Sequence, residues 1–249
     1  MSKVDIIPLG EHSSLKKRAL FIFPHAGGSS LYFREWARHS SEKWNVFVIE
    51  YPGNGSLIGV EKHESLNELV FNISHSLRVF SGHMENLIFM GKSMGAIVAF
   101  EVIFLMEKIL NAKNISNLIA LTMNPPSHLN QSGLKAVMKK RGKDLSKFFD
   151  VENQLECEKF SNSEVLGLYE HSLKGDIKIL CNHEFKMAKS ITCPISVLYG
   201  KEDHLCDQSH QIYWSERTHA VASFTSFHGG HFFDTQCPAM HESIEGLLR

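Results

Sequence analysis

Ser93 stands in a setting typical of a catalytic nucleophile. It lies at the centre of the pentapeptide GKSMG (residues 91–95), which follows the apolar run Leu87–Met90 and precedes a helical apolar pattern. A serine on such a tight strand-to-helix turn can attack an acyl carbon once a neighbouring base removes its proton. Glycine is expected on both sides because a side chain there would collide with the adjoining strand or helix.

Asp203 and His231 are the residues that the chain order suggests as partners of Ser93. Asp203 follows the apolar run Ile195–Tyr199, and His231 follows the run Phe224–Phe227. Open α/β sheets bind ligands beyond the carboxyl ends of their strands, so these side chains are expected to meet at one edge of a sheet. The order serine, aspartate, histidine is that of α/β-hydrolases, in which histidine takes the serine proton and aspartate orients the imidazole.

The negative charge that develops on the attacked carbonyl oxygen requires N–H donors nearby. The backbone N–H of Met94, directly after the nucleophile, is one expected donor. The glycine-rich turn after the apolar run Ala19–Phe23 is expected to supply the other, with Ala26 as the leading candidate.

Several neighbouring residues remain alternatives to these assignments. Glu202 and Asp207 compete with Asp203, and His228 competes with His231. His25 is a candidate for contact with the substrate, although a local role in its turn is favoured. Lys92 is interpreted as a variable side chain of the turn rather than as an acid catalyst.

The chain alternates short apolar runs with longer helical patterns, which predicts a mainly parallel sheet joined by right-handed helical crossovers. The predicted strands are Ala19–Phe23, Val46–Ile49, Leu87–Met90, Leu118–Met123, Ile195–Tyr199 and Phe224–Phe227. The predicted helices are Leu31–Arg38, Leu66–Phe80, the segment that follows Ser93, and Met240–Leu248. The fold class is therefore α/β, with helices flanking a central sheet.

The alternation stops between Pro125 and Ile191, where charged helical patterns replace strands. A simple crossover needs fewer residues, so we expect one domain, residues 1–249, with a helical lid inserted at about 125–191. Met138, Phe148 and Phe149 are candidate apolar residues of this lid that face the substrate. The alternative is a set of surface helices without a role at the site.

Composition excludes several classes of function. The chain has 249 residues, 43% of them hydrophobic, and a net charge of −1 without long charged blocks, so neither nucleic acid nor a membrane is an expected partner. Five cysteines without a C-x-x-C pair indicate neither a zinc site nor a disulfide framework, and no metal or cofactor is expected. With no signal peptide or membrane span in the sequence, we expect a cytoplasmic monomer.

Four segments together resemble the type II thioesterases of nonribosomal peptide and polyketide assembly lines. They are PHAGGS (24–29), YPGNG (51–55), GKSMGA (91–96) and GGHFF (229–233), and the similarity extends over nearly the whole chain. The resemblance implies an α/β-hydrolase fold with a helical lid. It also implies hydrolysis of acyl or aminoacyl groups from the phosphopantetheine thiol of carrier domains, which regenerates stalled synthetases. Ser93, Asp203 and His231 match the family's triad, and Ala26 and Met94 match its oxyanion donors.

Two residues depart from the family's pattern. Lys92 stands where the family usually has histidine, and Asn54 stands where it usually has arginine. Two other functions use the same motifs and stay open at this point. One is a carboxylesterase or lipase acting on small molecules, and the other is a binding module of the same fold without catalysis.

Overall fold

A single sheet of seven strands forms the centre of the protein. The computed structural model describes residues 3–40, 43–129, 163–186, 188–232 and 238–248. The strands lie in the order β1-β3-β2-β4-β5-β6-β7, with β1 antiparallel to β3 and every other pair parallel. Their bounds are β1 Asp5–Leu9, β2 Arg18–Phe23, β3 Asn45–Glu50, β4 Asn86–Lys92, β5 Ile115–Leu121, β6 Ile195–Gly200 and β7 Ala222–Phe227.

Helices cover both faces of this sheet. The α-helices are α1 Ser30–Ser40, α2 Leu66–Ser81, α3 Met94–Ile109, α4 Ser163–Cys181 and α5 Pro238–Leu247. Short 3₁₀ helices span Gly55–Leu57 and Pro126–His128, and a longer one spans Gln208–Arg217. This arrangement confirms the predicted α/β class and the six predicted strands, each within a few residues of its predicted bounds.

The sheet separates two apolar cores, as the continuous apolar runs require. Phe21 and Phe89 point to one side, where α2, α3 and α4 pack, and α3 buries residues around its whole circumference. Leu20, Ile22 and Ile88 point to the other side, where α1 and α5 pack. Strand β4 is buried on both faces, so the turn that follows it is held on a rigid support.

Strand β1 and the 3₁₀ helix Gln208–Arg217 were not predicted from the sequence. Strand β1 contains Pro8, which argues against a strand but is tolerated here because β1 lies at the edge of the sheet. The 3₁₀ helix Gln208–Arg217 follows no regular apolar spacing, although it buries Trp214 completely.

Helix α4 lies in the segment predicted as a lid. Its residues Leu173, Ile177 and Leu180 are buried in the same apolar core as α2 and α3. The candidate lid residues Met138, Phe148 and Phe149 lie outside the described residues, so their role and the extent of the lid remain predictions. Among the described residues, no helix combines the length and apolar character needed to cross a membrane.

Candidate active site

Ser93 occupies a strained turn between β4 and α3. Its φ of 51° and ψ of −123° lie in a region that side chains other than glycine rarely adopt. The Ser93 N–H donates to the carbonyl of Leu121 at 2.8 Å, which ties the turn to β5. A Cβ atom on Gly91 would overlap the backbone of α3, and one on Gly95 would overlap the carbonyl of Phe23. The two glycines therefore allow strand and helix to approach closely enough to hold Ser93 in this conformation.

Ser93, His231 and Asp203 form one hydrogen-bonded chain. His231 Nε2 lies 2.9 Å from Ser93 Oγ, and His231 Nδ1 lies 2.8 Å from Asp203 Oδ2. The other carboxylate oxygen of Asp203 accepts from the N–H groups of Leu205 and Cys206 at 2.8 and 3.1 Å. Both carboxylate oxygens are thus occupied, and the imidazole is held with one nitrogen facing the serine.

The environment keeps Asp203 ionised although it is buried. Burial would raise the pKa of the carboxyl, but the nearby His231, its hydrogen bond, and the two backbone donors together lower the pKa below its ordinary value. A negative charge beside the imidazole stabilises the imidazolium that forms when histidine takes a proton. The pair is arranged for general-base chemistry on Ser93.

The alternative carboxylates and histidine lie elsewhere. Glu202 accepts a hydrogen bond from the Gly229 N–H and lies 3.5 Å from His228 at the surface. Asp207 caps the 3₁₀ helix Gln208–Arg217 by accepting from the Ser209 N–H at 2.8 Å. None of these three side chains takes part in the hydrogen-bonded chain of Ser93.

The expected oxyanion donors border the same pocket as Ser93. Ala26 follows the end of β2, and Met94 begins α3, where the first N–H groups of a helix have no partner within it. Among the described residues, no hydrogen bond engages the N–H of either residue. The pocket is lined by His25, Ala26, Ser93, Met94, Met123, Asn124, Ile177, Leu180, Leu205, Cys206 and His231.

Comparison with known proteins adds an independent observation. A family profile described as a thioesterase domain covers residues 18–248. The chain belongs to this thioesterase family. The predicted resemblance and the predicted class of enzyme, a hydrolase of thioesters, are thereby confirmed.

Individual relatives are distant but span most of the chain. The thioesterase TesA of Mycobacterium marinum is 24% identical over 227 residues, covering 91% of this chain and 89% of TesA. The gramicidin S biosynthesis protein GrsT of Aneurinibacillus migulanus is 24% identical over 251 residues, covering 95% of this chain and 90% of GrsT. The structure of YbtT, a type II thioesterase from the yersiniabactin NRPS/PKS pathway, superposes with a TM-score of 0.77 at 22% identity, covering 98% of this chain and 96% of YbtT.

Lys92 contacts the backbone of His231, the proposed catalytic histidine of this thioesterase. Its side chain is fully buried, and its Nζ donates to the carbonyl of His231 at 3.1 Å. The ammonium also lies 4.6 Å from the ring centre of Phe232, within range of a cation–π contact. The sequence interpretation of Lys92 as a variable side chain missed this contact, because nothing local in the sequence links Lys92 to a loop 139 residues away.

His25 packs within its turn and also borders the pocket, so contact with the substrate stays a prediction. Its buried ring packs edge-on against Tyr32 and Phe232, with ring centres 4.8 and 5.3 Å apart, and also borders the pocket. Burial, followed by the charge of Lys92 and the proximity of His231, holds the pKa of His25 well below its ordinary value. His25 is therefore neutral at physiological pH and adds no positive charge to the pocket.

A buried ionic cluster joins α4 to the turn that carries Ala26. Asp176 Oδ2 accepts from the Gly27 N–H at 2.8 Å and from Asn54 Nδ2 at 3.0 Å, while Asp176 Oδ1 accepts from Lys62 Nζ at 2.6 Å. Asn54 also donates to the Gly28 carbonyl at 3.1 Å. These bonds tie α4 to the turn that carries Ala26, the expected oxyanion donor, a role that sequence reasoning did not assign to any of these residues.

A metal ion has little to bind in this site. Within the described ranges, one group of side chains could hold a metal, namely Asp203, Cys206 and His231, whose ligand atoms lie within 4.8 Å of one another. Both nitrogens of His231 are already engaged with Ser93 and Asp203. Burial, and then the charge of Asp203, raises the pKa of the Cys206 thiol, so a thiolate ligand is disfavoured. The expected absence of a cofactor stays a prediction.

Proposed function

We propose that this thioesterase hydrolyses acyl or aminoacyl groups from the phosphopantetheine thiol of carrier domains in nonribosomal peptide or polyketide synthetases. The observation that carries the proposal is the hydrogen-bonded chain Ser93–His231–Asp203 beside two N–H groups that border one pocket. The names of the relatives support the pathway, since GrsT is described by gramicidin S biosynthesis and YbtT by a yersiniabactin NRPS/PKS pathway.

The first half of the reaction forms an acyl-enzyme. Ser93 Oγ attacks the thioester carbon while its proton passes to His231 Nε2, and Asp203 stabilises the resulting imidazolium. The carbonyl oxygen becomes an oxyanion that accepts hydrogen bonds from the N–H groups of Ala26 and Met94. The C–S bond then breaks, and the leaving thiol takes the proton from His231.

The second half releases the acid. A water molecule gives a proton to His231 as its oxygen attacks the ester carbon of acylated Ser93. The oxyanion again faces Ala26 and Met94. Breakage of the ester bond returns the proton from His231 to Ser93 Oγ and frees the carboxylic acid, so the enzyme is regenerated without a metal or redox cofactor.

Hydrolysis of an acyl-carrier thioester by wild type and by Ser93→Ala tests this proposal. We expect the substitution to reduce kcat by about 10⁴-fold or more, because the acyl-enzyme can no longer form. Ser215→Ala is the matched control, since Ser215 lies at the surface and donates only to the Ile212 carbonyl among the described residues. Equal rates for folded Ser93→Ala and wild type would refute the proposal.

The same assay separates the alternative functions. A carboxylesterase would cleave simple esters at least as efficiently as the carrier-bound thioester, whereas a carrier thioesterase would prefer the latter. A binding module without catalysis would leave Ser93 unlabelled by a fluorophosphonate probe. We further propose a cytoplasmic monomer whose partners are carrier domains. Sedimentation of the purified chain with and without a carrier domain tests the monomeric state and the partner.

A further inference from the structure

Asn124 is a buried polar side chain of the pocket that the proposed mechanism does not use. It follows the end of β5 and is 1% exposed. Its neighbour Met123 is fixed because Trp214 Nε1 donates to the Met123 carbonyl at 2.9 Å. Asn124 therefore sits on a rigid segment of the pocket wall, close in the chain to the strand that anchors Ser93.

The orientation of the Asn124 amide is set by Gln211. Gln211 Nε2 donates to Asn124 Oδ1 at 2.8 Å and to the Asp207 carbonyl at 3.2 Å. Rotating the Gln211 amide would bring its oxygen against the Asp207 carbonyl, which is unfavourable because both atoms are acceptors. The Asn124 oxygen is thus engaged as an acceptor, and its Nδ2 remains as the donor.

Asn124 Nδ2 is buried without an acceptor among the described residues. A buried donor without a partner costs free energy, so such groups in native proteins call for a specific explanation. Asn124 borders the pocket together with the apolar side chains Met123, Ile177, Leu180 and Leu205. Among the described residues that line the pocket, Asn124 thus offers an amide donor outside the proposed catalytic set.

We propose that Asn124 Nδ2 binds an acceptor oxygen on the acyl group of the substrate. The ligand class is an acyl chain that is otherwise apolar and carries a hydroxyl or carbonyl oxygen near the thioester. A saturated chain of the same length would leave Nδ2 desolvated and unpaired, so the enzyme discriminates between the two. This inference rests on the proposed function, because it takes the acyl group to lie in this pocket.

Thioesters of N-acetylcysteamine test the inference without a carrier protein. Hexanoyl, 3-hydroxyhexanoyl and 3-oxohexanoyl thioesters differ only in the acceptor oxygen, and each rate is divided by the rate of its uncatalysed hydrolysis to remove intrinsic reactivity. We expect wild type to prefer at least one oxygenated substrate by about 3- to 10-fold in kcat/KM, the range of one net hydrogen bond.

Two variants identify Asn124 as the source of that preference. Asn124→Leu removes the donor at similar volume. Asn124→Asp keeps the shape and the acceptor for Gln211 but replaces the donor with oxygen. Both should abolish the preference for the oxygenated substrates. A preference that persists in both folded variants, or its absence from wild type, would overturn the inference.

A binding measurement distinguishes failure of this inference from failure of the proposed function. In the Ser93→Ala background, the Kd of the hexanoyl thioester should exceed that of the preferred oxygenated thioester by about the same factor as in kcat/KM. Adding Asn124→Leu should make the two Kd values equal. Failure of wild type to hydrolyse an acyl-carrier thioester would refute the proposed function, while the Kd ratio would still decide the role of Asn124. If Asn124→Leu raised the Kd of all three thioesters by the same factor, the side chain of Asn124 would have a purely structural role and the inference would be refuted.

Discussion

Lys62→Met is the substitution that best probes the coupling between α4 and the oxyanion turn. Lys62 Nζ lies 2.6 Å from Asp176 Oδ1, and the Asp176 carboxylate is almost completely buried. Methionine retains most of the side-chain volume but removes the positive charge. Among the described residues, the buried carboxylate then keeps its bonds from the Gly27 N–H and Asn54 Nδ2.

The expected loss of stability is large for a single substitution. Removing one partner of a buried ion pair costs about 3–5 kcal/mol, and the two remaining hydrogen bonds place Lys62→Met near the lower value. A change of about 3 kcal/mol corresponds to a fall in Tm of roughly 6–12 °C for a chain of this size. Urea unfolding followed by circular dichroism at pH 7 measures the free energy directly.

The double variant that combines Lys62→Met with Asp176→Asn provides the decisive comparison. It removes both charges but leaves an amide oxygen that can accept from the Gly27 N–H, so it should be more stable than Lys62→Met alone. Lys174→Met is the matched control. Lys174 lies on α4, as Asp176 does, and forms a half-exposed ion pair with Glu170 at 3.2 Å. Such a pair contributes less than about 1 kcal/mol.

The catalytic rate should also depend on this ionic cluster. Gly27 adjoins Ala26, so loosening the Asp176–Gly27 bond displaces the proposed oxyanion donor and lowers kcat. The fall should not exceed the roughly 10²- to 10³-fold that loss of one donor costs. A loss below about 1 kcal/mol for Lys62→Met, or a double variant less stable than the single one, would refute this account of the cluster.

Three further predictions concern the turn at Ser93, the backbone contact of His231 and the buried carboxylate of Glu50. Gly95→Ala should prevent folding or abolish activity because its Cβ would overlap the Phe23 carbonyl, whereas Gly246→Ala, with open space around its Cβ, should keep or raise Tm. Lys92→Met should lower kcat by roughly 10-fold with little change in KM, since it removes the donor that fixes the His231 carbonyl; an unchanged kcat would contradict this role. Burial would raise the pKa of the Glu50 carboxyl, but hydrogen bonds from Ser30 and Ser56 together bring it below its ordinary value. The ionised carboxylate therefore stabilises the fold at pH values above the ordinary pKa. This contribution is lost as the pH falls through the lowered pKa. Glu50→Gln should therefore be less stable than wild type at pH 7 and lose less stability on acidification to pH 3, and parallel pH curves in urea unfolding would exclude this contribution.

The strands and the proposed triad were predictable because their signals are local. Runs such as Ala19–Phe23 are apolar at every position, which only a strand buried on both faces requires over so short a length. Ser93, Asp203 and His231 each follow such a run, so parallel pairing alone brings them to one edge of the sheet.

The supporting contacts could not be predicted because their partners lie far apart in the sequence. Lys62 and Asp176 are 114 residues apart, and no periodic pattern relates them. The two departures from the family's pattern illustrate the same limit. Asn54 bonds to Asp176 while the positive charge beside that carboxylate comes from Lys62, and Lys92 supports His231. Only the three-dimensional arrangement assigns a role to these side chains.

Helix α4 links access to the pocket with the geometry of the oxyanion turn. Asp176 holds the Gly27 N–H, while Ile177 and Leu180, within one turn of it on the same helix, form part of the pocket wall. A Cβ on Gly27 would lie 3.2 Å from Leu173 Cβ, so the turn and the helix are already in close contact. An outward shift of α4 large enough to widen the pocket must therefore lengthen the Asp176–Gly27 bond or carry the turn with it. In either case, the Ala26 N–H keeps its present position only while α4 stays in place, so the proposed oxyanion donor and this part of the pocket wall depend on the same helix.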